Sequence, residues 1–157
     1  MEKLIRIPIV KHGIYLWKLL TKDEKFWQAI ILRRIYTLKE KGVKEQEFTK
    51  IIDSLGNEKK SKVLKSYAPQ FFLKNFVDNL LVGVILTGIF DFALHLDLKT
   101  FVMLLFFWTL VFSLIDLAAY IKVELTAIDR KKDIVENAMK IYKSTEKYTL
   151  DKIIEDL

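Results

Sequence analysis

Two carboxylates and one histidine interrupt the long apolar stretches of this sequence, and a membrane would restrict their chemistry. Asp91 and His95 are one helical turn apart and share a helix face, while Asp116 lies in the following apolar stretch. An ionised carboxylate is costly in hydrocarbon, so Asp91 must be paired, hydrated or protonated. Asp91 and His95 are therefore candidates for a proton or cation path. The alternative is an interfacial carboxylate that water reaches through a short loop.

Asp116 has a different expected environment. Counting along its helix places it near the cytoplasmic headgroups, at the depth of Asp78 and Asn79, where we expect interfacial water to solvate it. His12 is alone in the N-terminal segment, and we expect it to pack or to face solvent. Asp116 is thus a polar intramembrane candidate by its position, without a predicted partner.

Asp91, His95 and Asp97 are close enough in sequence to raise the question of a metal site. These residues lack the tight, recurring spacing that is typical of metal ligands. We therefore predict neither a metal nor a cofactor.

The elements that must position these residues are two apolar runs, Asn79–Leu96 and Phe101–Ile121, which are separated by only four residues. Each run has about the 20 residues that cross the hydrocarbon core of a bilayer as a helix. The chain is 29% charged, but nearly all of that charge lies outside the two runs. This segregation predicts a transmembrane helical hairpin whose first partner is the lipid bilayer.

A stripe of small residues marks the predicted contact between the two helices. With the turn placed near Leu98, Gly83 and Ser113 are at equal depth, and so are Thr87 and Thr109. Small residues four apart let membrane helices approach closely. We expect this stripe to close the hairpin, and a contact between copies of the chain is the alternative.

Positive charge flanks the hairpin on one side only. The connecting loop contributes Lys99 alone, whereas lysines precede the first run and a basic group follows the second. Cytoplasmic segments next to membrane helices carry such an excess of Lys and Arg. We therefore predict a multi-pass protein of the cell membrane with both termini in the cytoplasm.

The remaining residues predict an all-α fold, in which the N- and C-terminal flanks form a cytoplasmic helical domain beside the transmembrane hairpin. Residues 1–70 form a basic, amphipathic N-terminal region, residues 71–121 form the hairpin and residues 122–157 form a C-terminal extension. In the N-terminal region we expect helices that begin at the Thr21–Glu24 cap, at about residue 44 and at about residue 58, the last ending before Pro69.

The C-terminal flank carries a heptad-like seam over residues 121–142, without an intervening Gly or Pro. We therefore expect the second span to continue into the cytoplasm as one long helix. Its seam would pack against a second copy, against a protein partner, or against the apolar face of residues 26–38 in the same chain.

The lysines ahead of the hairpin have two interpretations. They would contact anionic lipid headgroups, or they would form the basic third helix of a helix-turn-helix that binds DNA. Proximity to a bilayer already explains them, so nucleic acid is not the expected partner. The residues concerned are Lys59, Lys60, Lys62 and Lys65.

The function predicted from these features is not enzymatic. The chain contains no cysteine, and its sequence shows no nucleophile–base pair, phosphate loop or paired catalytic carboxylates. We expect a membrane scaffold or assembly subunit that acts through its cytoplasmic helices. A self-associating pore or ion-conducting effector is the first alternative, and a membrane-tethered DNA-binding regulator is the second.

The pore alternative has a parallel in overall layout. Two-span hairpins followed by a long cytoplasmic helix resemble the SLATT-type effector domains of microbial defence systems. The likeness covers roughly residues 70–145 and is one of topology, so it carries over no site residues.

Overall fold

The computed structural model describes residues 2–144 and 146–157, and within those ranges every regular element is helical. The expected all-α fold is therefore confirmed. The helices, in chain order, are α1 (Glu2–Ile5), α2 (Pro8–Leu20), α3 (Glu24–Glu40), α4 (Glu45–Ser54), α5 (Lys60–Lys62), α6 (Ala68–Leu94), α7 (Leu98–Asp129), α8 (Lys131–Lys143) and α9 (Leu150–Asp156).

The helices α6 and α7 form a long antiparallel hairpin, and both are long and apolar enough to cross a membrane. Two carboxylates define the turn between them. Asp91 accepts a hydrogen bond from the Leu96 amide at 3.1 Å, and Asp97 accepts one from the Thr100 amide at 3.0 Å, which caps α7. His95 adopts a left-handed conformation with φ of 48°, which ends α6. The turn is therefore centred on Leu96, two residues earlier than expected.

The helix ahead of the hairpin does not stop before Pro69, which corrects the sequence-based prediction. Residues Val63–Tyr67 form a π-helical turn that joins α5 directly to α6, and the Ala68 amide donates to the Val63 carbonyl. Proline lacks an amide hydrogen, and its ring clashes with the carbonyl four residues earlier in a regular helix. A wider turn relieves that clash, so the chain passes Pro69 without a break.

A helical head packs at the end of the hairpin that is opposite the turn, and we define the head as α3, α4, α8 and α9. The helix α3 contacts α7, α8 and α9, and α4 contacts α3 and α8. Asp23 caps α3 by accepting a hydrogen bond from the Phe26 amide at 3.0 Å, as its sequence position predicts. Phe26, Trp27 and Phe48 are fully buried in the core of this head.

The second span does not continue as one uninterrupted helix, because the helix breaks at Arg130 between α7 and α8. Tertiary contacts hold the break in place. Arg130 pairs with Glu24 at 3.0 Å, and Lys131 donates to the Asp53 carbonyl at 2.7 Å. Gly56 lies against Ala127 so closely that a Cβ atom there would be 2.4 Å from the Ala127 carbonyl oxygen. These neighbours, which are distant in sequence, pack around the break, where the chain has no Gly or Pro.

The buried face of the C-terminal flank differs from the expected seam. Val123, Ala127, Ile134, Ala138 and Ile141 are buried, mostly against α3, and the predicted seam positions lie beside them, partly or fully exposed. The shift of one residue is already present ahead of Arg130, where Ala127 is buried in place of Ile128, so packing against α3 selects this stripe. The flank therefore packs within its own chain, using a neighbouring stripe of residues.

Candidate functional site

A buried polar cluster lies where α2 packs on the part of the hairpin that is far from the turn. Its centre is Asp116, whose side chain is 5% exposed. His12 Nε2 is 3.1 Å from one carboxylate oxygen, and Lys11 Nζ is 3.0 Å from the other. Asn79 Nδ2 donates to the same oxygen that His12 contacts, at 3.1 Å. Asp116, on α7, thus has partners from two other helices, α2 and α6. We call Asp116, Lys11, His12, Asn79 and the neighbouring Ser113 the Asp116 cluster.

The helix α2 brings two adjacent residues to this carboxylate. Pro8 fits the first turn of α2, where a missing amide hydrogen has no cost. His12 is only 1% exposed and stacks on Phe112, with the ring centroids 4.4 Å apart. Lys11 remains 26% exposed, so its ammonium group bridges the buried carboxylate and the outside.

The hairpin supplies the other half of the cluster. Asn79 on α6 lies 3.4 Å from the Ser113 hydroxyl, which itself donates to the Thr109 carbonyl at 2.7 Å. The bond between Asn79 and Ser113 crosses the interface between α6 and α7, and the bond from Ser113 to Thr109 lies within α7. A hydrogen-bonded carboxylate in such surroundings ties the three helices to one relative position.

Within residues 2–144 and 146–157, the cluster does not continue as a polar path along the hairpin. Further along the hairpin, Thr87 is completely buried, and its hydroxyl has no hydrogen-bond partner among the residues that the structure describes. No hydrogen bond among the described residues connects the Asp116 cluster with Asp91.

The structure corrects the expected environment of Asp116. The carboxylate is satisfied by protein groups and is nearly inaccessible, so interfacial water does not solvate it. The exposed neighbour Asp78 takes no part in the cluster. His12, which sequence reasoning placed outside the candidate set, is a member of the cluster and is only 1% exposed. His12 and Asp116 are more than 100 positions apart, so no spacing pattern in the sequence could pair them.

Asp91 and His95 occupy the turn at the other end of the hairpin. The carboxylate of Asp91 is half-buried and bonded to the Leu96 amide, while His95 is exposed. This geometry gives Asp91 a capping role in the turn. Within the described residues, no group of three or more His, Asp and Glu side chains could hold a metal ion.

The small residues of the hairpin are packed, but one turn out of the expected register. Gly83 faces Thr109, because a Cβ atom at Gly83 would lie 2.6 Å from the Thr109 hydroxyl oxygen, and Asn79 faces Ser113. The expected pairing counted from Leu98, whereas the cap at Asp97 and the left-handed His95 place the turn earlier. Thr87, Thr109 and Ser113 are each completely buried, so the stripe is used within one chain.

The basic residues ahead of the hairpin are exposed and partly paired. Lys60 forms an ion pair with Asp129 at 2.6 Å, and Lys62 pairs with Glu58 at 3.0 Å. Because α5 continues into α6, these residues do not lie on a separate third helix. Lys59 and Lys65 are also exposed on this segment.

Comparison of the chain with protein-family models, with curated proteins and with solved structures found no match. The functional argument therefore depends on the chain's own geometry.

Proposed function

We propose that this chain is a small integral membrane protein that acts as a scaffold or assembly subunit. The hairpin of α6 and α7 spans the bilayer, both termini are cytoplasmic, and the head presents helices to a protein partner or to another copy of the chain.

The outward-facing apolar surface of the hairpin is the observation that carries this proposal. Only 17% and 22% of the most apolar windows of the two helices are buried within the chain. The core helix of a soluble protein is mostly buried. Here large apolar side chains point away from the protein, such as Leu81, Phe92 and Met103, which are 67%, 87% and 63% exposed. A hydrocarbon environment is the solvent that such a surface requires.

The head supports the assembly role. It has a buried aromatic core, and its outer surface carries ion pairs such as Lys140–Glu136, as a body in water does. Since N- and C-terminal segments build it together, the hairpin presents the head to the cytoplasm as a single unit. We expect a partner to bind this unit and not an isolated helix.

Cysteine labelling tests the topology directly, since the native chain contains no cysteine. In intact cells, Leu98→Cys should react with a membrane-impermeant thiol reagent, because this residue begins α7 beside the turn. The matched variant Leu157→Cys should react only after the cells are permeabilised. Labelling of Leu157→Cys in intact cells would overturn the orientation.

Extraction tests the membrane location itself. The full-length protein should stay in the membrane pellet after a carbonate wash and should leave it only with detergent. Recovery of a compact particle from the carbonate supernatant would contradict the whole proposal.

The two alternatives predict different measurements. A pore requires that the protein form an oligomer in detergent, large enough to close into a ring, and that Asp91→Asn alter its conductance. A scaffold requires neither. A DNA-binding regulator requires binding of the full-length protein to duplex DNA, weakening steeply as salt is added.

A further inference from the structure

A cavity of about 200 Å³ lies beside the Asp116 cluster, where α2, α3, α6 and α7 meet. It is smaller than the pockets that hold drug-sized ligands, and it is of the size of a small polar group. Its polar lining residues are Lys11, Tyr15, Arg34, Asn75, Asp116 and Tyr120.

The cavity presents the positive charge of Arg34. Its one carboxylate, Asp116, is already bound by Lys11, His12 and Asn79. Arg34 is exposed, and within the described part of the chain its guanidinium makes no hydrogen bond or ion pair. Glu124 lines an adjoining cavity together with Arg34 and attracts it electrostatically, but among the described residues the two do not come within ion-pair distance. An anion in the cavity would therefore meet a guanidinium whose hydrogen-bond donors have no partner among the described residues.

Neutral donors surround this charge. The hydroxyl groups of Tyr15 and Tyr120 have no hydrogen-bond partner within the described residues. Burial raises the pKa of Tyr15, which keeps its hydroxyl protonated and able to donate. Tyr120 is held in place by stacking on Phe71, with ring centroids 4.2 Å apart. Two phenol donors and a planar guanidinium suit an anion with several oxygens.

We infer that this cavity binds the anionic phosphate group of a phospholipid headgroup or of free phosphate. The guanidinium fork of Arg34 matches two phosphate oxygens, and Lys11 contributes a second, partly exposed cation. In the orientation proposed above, which this inference rests on, the cavity lies at the inner ends of the spans. Lipid phosphates lie at that level, and tyrosines are enriched there.

Thermal unfolding of the full-length protein in an uncharged detergent tests the site. The added probes are short-chain phosphatidic acid, inorganic phosphate, and short-chain phosphatidylcholine as the zwitterionic control. Phosphatidic acid should raise the unfolding midpoint saturably.

Arg34→Gln should weaken this binding at least about tenfold. Arg33→Gln is the matched control, because that arginine is adjacent in sequence but bonds to Thr37 and Glu40. Tyr120→Phe, which keeps the stacking, should weaken binding by a smaller factor.

The outcomes separate the possible sources and the two proposals. An equal response to inorganic phosphate, still dependent on Arg34, would support the site and identify free phosphate as its ligand. Saturable, Arg34-dependent binding by a protein found in the carbonate supernatant would support the site while rejecting the membrane proposal. The inference is overturned if no phosphate compound gives a saturable shift, or if Arg33→Gln and Arg34→Gln lose binding equally.

Discussion

Asp116 is the residue through which α2 is tied to the hairpin. Its two oxygens receive bonds from Lys11, His12 and Asn79, and the first two of these are adjacent on α2. A carboxylate that is desolvated to this degree is stable only with all of its partners present. The cluster therefore holds α2 against the apolar surface of the hairpin.

Replacing this carboxylate should loosen α2. We expect Asp116→Asn to reduce the free energy of unfolding in detergent by about 1–3 kcal/mol, because charged hydrogen bonds are lost while the shape is kept. A double-mutant cycle with His12→Gln should show coupling of about 0.5–3 kcal/mol. Thermal or denaturant unfolding measures both values.

The control is Asp78→Asn, which changes an exposed carboxylate next to Asn79. Its effect should stay within about 0.5 kcal/mol. Equal losses for Asp78→Asn and Asp116→Asn would contradict the role assigned to the cluster.

At the scale of elements, the α6–α7 contact depends on Gly83. A Cβ atom there would lie 2.6 Å from the Thr109 hydroxyl oxygen and 3.1 Å from the Leu105 carbonyl oxygen. Gly83→Ala should therefore destabilise the hairpin by about 1–3 kcal/mol through overpacking. The measurement is the unfolding midpoint of the purified protein in detergent.

Gly88 gives a matched control on the same helix, since a Cβ atom there would meet nothing within 4 Å. Gly88→Ala should leave the midpoint unchanged or raise it, because alanine favours the helix more than glycine does. A loss as large as that of Gly83→Ala would show that helix approach is not the cause.

The cap of α3 should make the head sensitive to acid. The hydrogen bond from Lys18 holds the pKa of Asp23 below its ordinary value, and the Phe26 amide adds to this. The unfolded chain then binds the proton more readily than the folded chain. The stabilisation is therefore complete above the unfolded pKa of about 4 and is lost as the pH falls through the lower folded value.

Asp23→Asn should keep most of the capping and remove this titration. We expect its unfolding midpoint to fall less than that of the native protein as the pH falls from about 5 to about 2, the window set by the lowered pKa of Asp23. Identical acid profiles for the two proteins would refute the role of Asp23.

At the scale of the whole molecule, Lys39 joins the N- and C-terminal flanks. Its ammonium group donates to the Ile141 carbonyl at 2.9 Å and to the Ser144 carbonyl, which satisfies the end of α8. Lys39→Met should cost about 1–2 kcal/mol and should speed hydrogen exchange in α8 and α9.

The exposed Lys41 provides the comparison, because Lys41→Met changes the same charge two residues further on. Exchange in α8 and α9 should not change in that variant. Faster exchange in both variants would point to an effect of net charge and not to the link between the flanks.

Local patterns in the sequence predicted much of this fold. The Asp23 cap, the apolar face of α3 and the two long apolar helices depend on neighbouring residues and could be read from spacing. The break at Arg130 could not be predicted from local spacing, since the residues that pack around it, Gly56, Glu24 and Asp53, come from distant parts of the chain. The same limit applies to the site. Asp116 could be identified by its position in an apolar stretch, but its contact with His12 depends on how α2 packs on the hairpin.

The π turn before Pro69 determines how the hairpin is oriented with respect to the head. One residue corresponds to about 100° around an α-helix. The extra residue in Val63–Tyr67 therefore determines the direction in which each side chain of α6 faces. Deleting one residue there would swing Asn79 out of reach of Asp116, although Lys60 would still meet Asp129. Insertions and deletions are therefore tolerable in surface loops but not in this segment, because its length fixes the rotation of α6 about its own axis.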